Sequence, residues 1–165
     1  MNRYQGTVCD PGQRVSVWRA IKGEEDPAIA EFRTAREKYQ TALRIMIEKL
    51  HYSALEDLVD LIFSRAGYSR MSRVGGTKKD WDFEAIHPER DERIAIQVKS
   101  RASQGDLTDY EQRNEEAGIY DRLYFVVARP TTKLSPSPNS TVWDSARLAD
   151  LAEQRGLAQW ISEQG

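Results

Sequence analysis

The apolar positions divide the chain into helical and strand-like stretches. From Pro27 to about Leu50, Ala28, Phe32, Ala35, Tyr39, Ala42 and Met46 step by four, three, four, three and four residues, the spacing of a heptad seam. Asp26 suits the N-cap of this helix and Pro27 its first turn. The seam is shorter than a coiled coil's usual run, so packing on the chain's own domain is the first expectation and dimerisation the alternative. His51-Tyr52 interrupts the seam. A second helix is expected from Ser53 to about Ala66, with Leu55, Leu58, Val59, Ile62 and Ala66 as its buried stripe and Gly67 as a left-handed cap.

Beyond Gly67 the period shortens. Tyr68 to Val74 reads as a strand ending at the Gly75-Gly76 loop, and residues 81–86 and 93–100 read as two strands of a hairpin around HPERDE. A polar-faced helix from Asp106 to about Ala117 is stopped by Gly118. The apolar run LYFVVA, residues 123–128, suits a strand covered on both faces and implies a right-handed crossover with parallel pairing. The Pro-, Ser- and Thr-rich stretch from Pro130 to Ser140 is expected to be a mobile loop. Thr141 to Trp143 then form an edge strand, followed by a helix from about Asp144 to Arg155 and a short tail helix holding Trp160. Residues 1–25 show no sustained period and read as an arm, with Trp18 as a residue that could tuck back.

Composition restricts the class. At 165 residues, 39% hydrophobic and 30% charged, the chain suits a single α/β domain with a mixed central sheet flanked by helices and an extra long N-terminal helix. No apolar run spans a bilayer and no leader is apparent, so no membrane partner is expected and a cytoplasmic location fits. One cysteine and two histidines leave little for a disulfide or for nitrogen and sulfur metal ligation. The formal net charge is −2, yet residues 65–101 hold nine basic and six acidic side chains, a local +3 that leaves −5 for the rest. Arg73, Lys78, Lys79 and Arg101 are the candidate phosphate contacts of that region, with a solvated turn as the alternative for the lysine pair.

Candidate chemistry lies in DWDFEAIHPERDERIAIQVKSR, residues 80–101. Alternation points Ile94, Ile96 and Val98 to one face and Ala95, Gln97 and Lys99 to the other, while Asp82 and Glu84 oppose Phe83 and Ala85. A register with Asp82 across from Lys99 and Glu84 across from Gln97 would gather a carboxylate, an amide oxygen and an ammonium on one patch. Asp80 and Glu84 are reserve carboxylates. Glu56 has two readings: it faces this patch, or it closes a Ser53-x-x-Glu56 capping box on its own helix.

The spacing Asp82 … Gln97-x-Lys99, behind a helix with Glu56 and Gly67-Tyr68, resembles the PD-(D/E)xK nuclease superfamily. The likeness is closest to the Mrr-type restriction endonucleases, which carry Q-x-K. ALEDLVDLIFSRAGY looks like their first core helix, GGTKKDWDFEA their second strand and IAIQVKS their third, so the likeness covers about residues 53–155 and implies an αβββαβ core within a domain of residues 53–165. It implies a Mg²⁺- or Mn²⁺-dependent DNA endonuclease. Asp82, Gln97 and the Val98 carbonyl would be metal ligands, Lys99 would hold the attacking water or the transition-state charge, and Glu56 would be an outer-sphere or second-metal ligand. A homodimer or larger complex is expected, because a double-strand cut needs two active sites. The alternatives are a catalytically idle nuclease-like module that binds nucleic acid or a partner protein, and a junction-resolving or RNA-directed nuclease on the same scaffold.

Overall fold

The computed structural model describes residues 21–71 and 81–164 of the protein. The chain forms two compact units, residues 1–39 and 40–165. The long helix α1 (Pro27–Lys49) opens as its sequence suggests: the carboxylate of Asp26 accepts the Ala28 N–H at 2.9 Å, satisfying one of the amides that a helix start leaves without a partner. Ala28, Phe32, Ala35, Tyr39 and Ala42 of the seam are all exposed, Phe32 at 68% and Tyr39 at 41%. The residues that α1 buries are Leu43 and Ile47, a stripe displaced from the seam; Met46 alone of the seam packs against the core.

In the second unit, five strands form one open mixed sheet in the order β1-β2-β3-β4-β5. They are β1 (Ser69–Arg70), β2 (Phe83–Ile86), β3 (Arg93–Ala102), β4 (Arg122–Pro130) and β5 (Ser140–Trp143). The first three pair antiparallel, while β3, β4 and β5 run parallel. Helices α2 (Tyr52–Arg65), α4 (Ser145–Gln154) and α5 (Ala158–Ser162) bury their apolar stripes with Ile94, Ile96, Val98 and Val126 in one core. On the opposite face α3 (Gln104–Ala117) packs Leu107 and Tyr110 with Ala95, Leu123, Phe125 and Val127. The alternation of β3 therefore feeds two cores, which makes it the central strand.

Three local expectations differ. First, α2 begins at Tyr52 rather than Ser53. His51, in extended conformation, is its N-cap and accepts the Ser53 N–H, so a capping box from Ser53 to Glu56 does not form. The end of α2 follows the glycine signal: Gly67 sits at φ +87°, and the Gly67 and Tyr68 amides bond Ser64 and Phe63 carbonyls in a Schellman closure. Second, the 130–140 stretch, expected to be mobile, is pinned to α3. The Ser135 N–H donates to Gln104 Oε1 at 2.8 Å and the Ser137 N–H to Glu111 Oε1 at 2.7 Å. Backbone groups that find fixed acceptors are not free to wander, whatever the proline content. Third, the hairpin register is shifted by two residues, which reshapes the candidate site.

Candidate active site

The pairing of β2 with β3 sets Phe83 opposite Ile96 and Glu84 opposite Ala95. The expected register, with Asp82 across from Lys99 and Glu84 across from Gln97, is thus corrected. The loop 87–92 is closed by the His87 N–H to the Glu92 carbonyl at 2.9 Å, with Asp91 at φ +52°, and pairing begins at once with Ile86 opposite Arg93. Arg93 is fixed further by Asp121, whose carboxylate accepts the Arg93 N–H at 2.8 Å. A shift of two residues keeps every side chain on its face while moving it along the strand. Asp82 therefore lies level with Gln97 instead of Lys99.

Because β2 pairs only from Phe83 onward, the edge of β3 that faces β2 has, beyond Ile96, no strand beside it among the described residues. The Asp82 carboxylate fills that gap: Oδ2 accepts the Val98 N–H at 2.7 Å and the Gln97 Nε2–H at 2.5 Å. The Gln97 amide also lies 3.4 Å from the Val98 carbonyl oxygen. Gln97 is 3% exposed, so its amide is held in a nearly dry position. Asp82, Gln97 and the Val98 backbone thus meet at one point, through a pairing other than the expected one.

Helix α2 supplies the next layer. The Tyr52 hydroxyl donates to Asp82 Oδ1 at 3.0 Å and lies within hydrogen-bonding reach of Glu56, one helical turn on. Burial and the two carboxylates hold the Tyr52 phenol well above its ordinary pKa, because ionisation would add a third negative charge there. Glu56 stands half-buried one turn along the helix from Tyr52 and does not close a capping box. Asp82 accepts the hydroxyl proton, and the charges of both carboxylates oppose ionisation of the phenol.

Lys99 projects from the same face of β3 as Gln97, and its Nζ lies 5.1 Å from the centre of the Tyr110 ring on α3. Arg113 Cζ lies 5.0 Å from the same ring. The nearby Asp106 carboxylate is held below its ordinary pKa, first by the Ser103 backbone N–H, then by the Ser103 hydroxyl and more weakly by Lys99. Arg101, two residues further, is exposed and directly opposite Arg129 of β4, which is also exposed. Like charges in register cost stability unless an anion offsets them. On the Arg129 side part of that offset comes from Glu48, whose carboxyl is held below its ordinary pKa first by Ser145, then by Arg44 and by Arg129. Arg73, Lys78, Lys79 and the reserve ligand Asp80 lie outside the described residues. Glu84, the other reserve, sits opposite Ala95, further from the gap than Asp82.

Among the described residues no group of three or more His, Cys, Asp or Glu side chains is gathered to hold a metal. The donors here are instead two carboxylates, a carboxamide and a backbone carbonyl. A half-turn of the Gln97 amide puts Oε1 where Nε2 now stands, beside Asp82 Oδ2 and the Val98 carbonyl. All-oxygen donors of this kind fit a hard divalent cation such as Mg²⁺ or Mn²⁺. Sequence reasoning missed Tyr52 and Arg129. Tyr52 carried a signal, four residues before Glu56 on one helix face. Arg129 carried none, since its partnership with Arg101 exists only through the parallel register.

Comparison of the chain with protein-family models, with curated proteins and with solved structures gives no match. No helix among the described residues is long and apolar enough to cross a membrane. The class defined by the structure alone is an α/β protein with an open, five-stranded mixed sheet and helices on both faces.

Proposed function

We propose that this protein is a Mg²⁺-dependent DNA endonuclease that hydrolyses phosphodiester bonds at the gap beside β3, in the manner of the PD-(D/E)xK nucleases its Asp82 … Gln97-x-Lys99 spacing resembles. The observation that carries the reading is the meeting of the Asp82 carboxylate, the Gln97 amide and the Val98 backbone where β2 ends. Asp82, Gln97 and the Val98 carbonyl would hold the ion, with Glu56 as an outer ligand. The chemistry supplied by a bound Mg²⁺ would be polarisation of the scissile phosphate and a lower pKa for water.

The chain's own groups do the rest. Lys99, two residues beyond Gln97 on one face, leaves the Tyr110 ring to hold the attacking water and offset charge on the phosphate. Arg101 and Arg129 present adjacent cations to flanking phosphates, which relieves their mutual repulsion. A double-strand cut requires a second copy of the site, so the working form is a homodimer or a larger complex.

The test is incubation of supercoiled plasmid with purified protein in Mg²⁺ or EDTA. Nicking that requires the metal and falls by about 10²-fold or more in Lys99→Ala supports the enzyme. Cleavage that persists in EDTA, or is untouched by the substitution, refutes it.

A second reading has one observation in its favour: both oxygens of Asp82 are already hydrogen-bonded within the chain. In that case the domain is a catalytically idle module that binds nucleic acid or a partner protein. It would retain DNA on a gel with or without Mg²⁺ while leaving the plasmid intact, and Asp82→Asn would not alter retention. Branched DNA and RNA offered beside linear duplex separate the junction-resolving and RNA-directed variants.

A further inference from the structure

The exposed seam of α1 has a sequence symmetry that its position on a helix turns into a shape. Its small and large residues alternate strictly: Ala28, Phe32, Ala35, Tyr39, Ala42, Met46. Reflected about residue 37, every small position meets a large one, Phe32 with Ala42, Ala35 with Tyr39, and Ala28 with Met46. Five of the six are exposed, and Ile29 and Ile45, flanking the seam, are 58% and 46% exposed. An apolar strip of about four helical turns, some 20 Å long, is left to solvent.

We infer that this strip binds the same strip of a second copy of the chain, with the two α1 helices antiparallel. Packing chooses the direction. A parallel pair would stack Phe32 on Phe32 and Ala35 on Ala35, so that crowded layers alternate with empty ones. An antiparallel pair seats each ring over the partner's alanine, and the alanines let the helices approach closely.

Charge chooses the same direction. Residues 24–31 hold Glu24, Glu25, Asp26 and Glu31 and no basic residue, whereas residues 33–49 hold five basic and two acidic ones. Antiparallel helices set each acidic end against the partner's basic half and oppose their macrodipoles, while parallel helices set acid against acid. Glu25 already bonds Arg33 of its own chain through both carboxylate oxygens at 2.9 Å, which reduces this gain without reversing its sign. Arg36 and Lys38 of the two copies approach each other near the two-fold axis. Exposed like charges on long side chains cost only a few tenths of a kcal/mol, less than the mismatch of two aromatic layers.

This surface gives the nuclease reading the second copy it needs, yet it is measured without metal or DNA, so either can fail alone. Sedimentation of the full chain at about 100 μM populates any complex with a Kd below about 10 μM. The wild type sediments as a dimer there, and Phe32→Glu with Tyr39→Glu raises the Kd at least about 100-fold while leaving the far-ultraviolet circular dichroism spectrum of the folded chain in place, since both side chains are exposed. Direction is read by disulfide trapping in a Cys9→Ser background: Ala35→Cys mixed with Tyr39→Cys cross-links, and Ala35→Cys alone does not. A monomeric wild type, a dimer indifferent to the glutamates, or efficient trapping of Ala35→Cys with itself overturns the inference.

Discussion

Removing the Asp82 side chain tests the gap beside β3 without assuming any catalysis. In Asp82→Ala the Val98 N–H, on a residue that is 0% exposed, loses its acceptor at 2.7 Å, and among the described residues no strand on that edge of β3 replaces it. An orphaned buried donor costs about 1–3 kcal/mol. The Gln97 amide, bonded at 2.5 Å, retains only its 3.4 Å approach to the Val98 carbonyl, while the Tyr52 hydroxyl can turn wholly to Glu56. The net loss is therefore about 2 kcal/mol, the middle of that range. With a urea m-value near 2 kcal/mol/M, the midpoint falls by about 1 M. Asp82→Asn keeps an oxygen for the Val98 N–H and turns an amide donor toward the Tyr52 oxygen, so its stability stays within about 0.5 kcal/mol of wild type by the same accounting. Mg²⁺ separates the two roles of the carboxylate. At a tenfold excess over its Kd the ion stabilises the wild type by about 1.4 kcal/mol, and neither variant gains comparably. Urea titrations followed by tryptophan fluorescence, with Mg²⁺ or EDTA, give all six midpoints. An unshifted Asp82→Ala midpoint refutes the capping role, and an equal Mg²⁺ effect in all three proteins refutes the metal role.

Phe63 packs against Tyr68, Phe83, Tyr124 and Trp143 with ring centroids 4.7–6.0 Å apart, so Phe63→Ala should cost about 3–5 kcal/mol in chemical denaturation, the most of any single truncation on α2. Gly67 sits at φ +87° with the Pro88 ring 3.5 Å from where a Cβ would stand, and Gly67→Ala should lower stability by at least about 1 kcal/mol. Asp106 completes a capping box with Ser103, and its carboxyl is held below its ordinary pKa. A depressed folded pKa stabilises above the unfolded value and loses its effect as pH falls through the folded one. The melting-temperature gap between wild type and Asp106→Asn should therefore be complete at pH 7 and shrink from about pH 4 downward. A gap that widens in acid would show that the capping contacts do not set the shift.

What the residues disclosed in advance was periodic, and what they withheld was longitudinal. Leu55, Leu58, Val59 and Ile62 are buried as their spacing requires, and alternation assigned Gln97 and Lys99 to one face of β3. A pleat has period two, so it settles which side a side chain takes but not how far along the partner strand it lies. That distance depends on where the 87–92 loop closes, which rests on the Asp91 backbone and on Asp121, a residue far away in sequence. Glu56 was undecided for a related reason. A capping box and a sheet-facing carboxylate share one sequence, and the choice fell to His51, which took the cap two residues early and left Glu56 one turn from Tyr52. The α1 seam inverts the lesson. Its heptad spacing was plain, yet the helix buries Leu43 and Ile47 instead, because only its C-terminal turns carry residues of the core and their stripe is offset from the seam. A regular apolar pattern that the chain's own core leaves uncovered is a demand for some other surface, and the small-large alternation specifies that surface as a copy of itself running the opposite way.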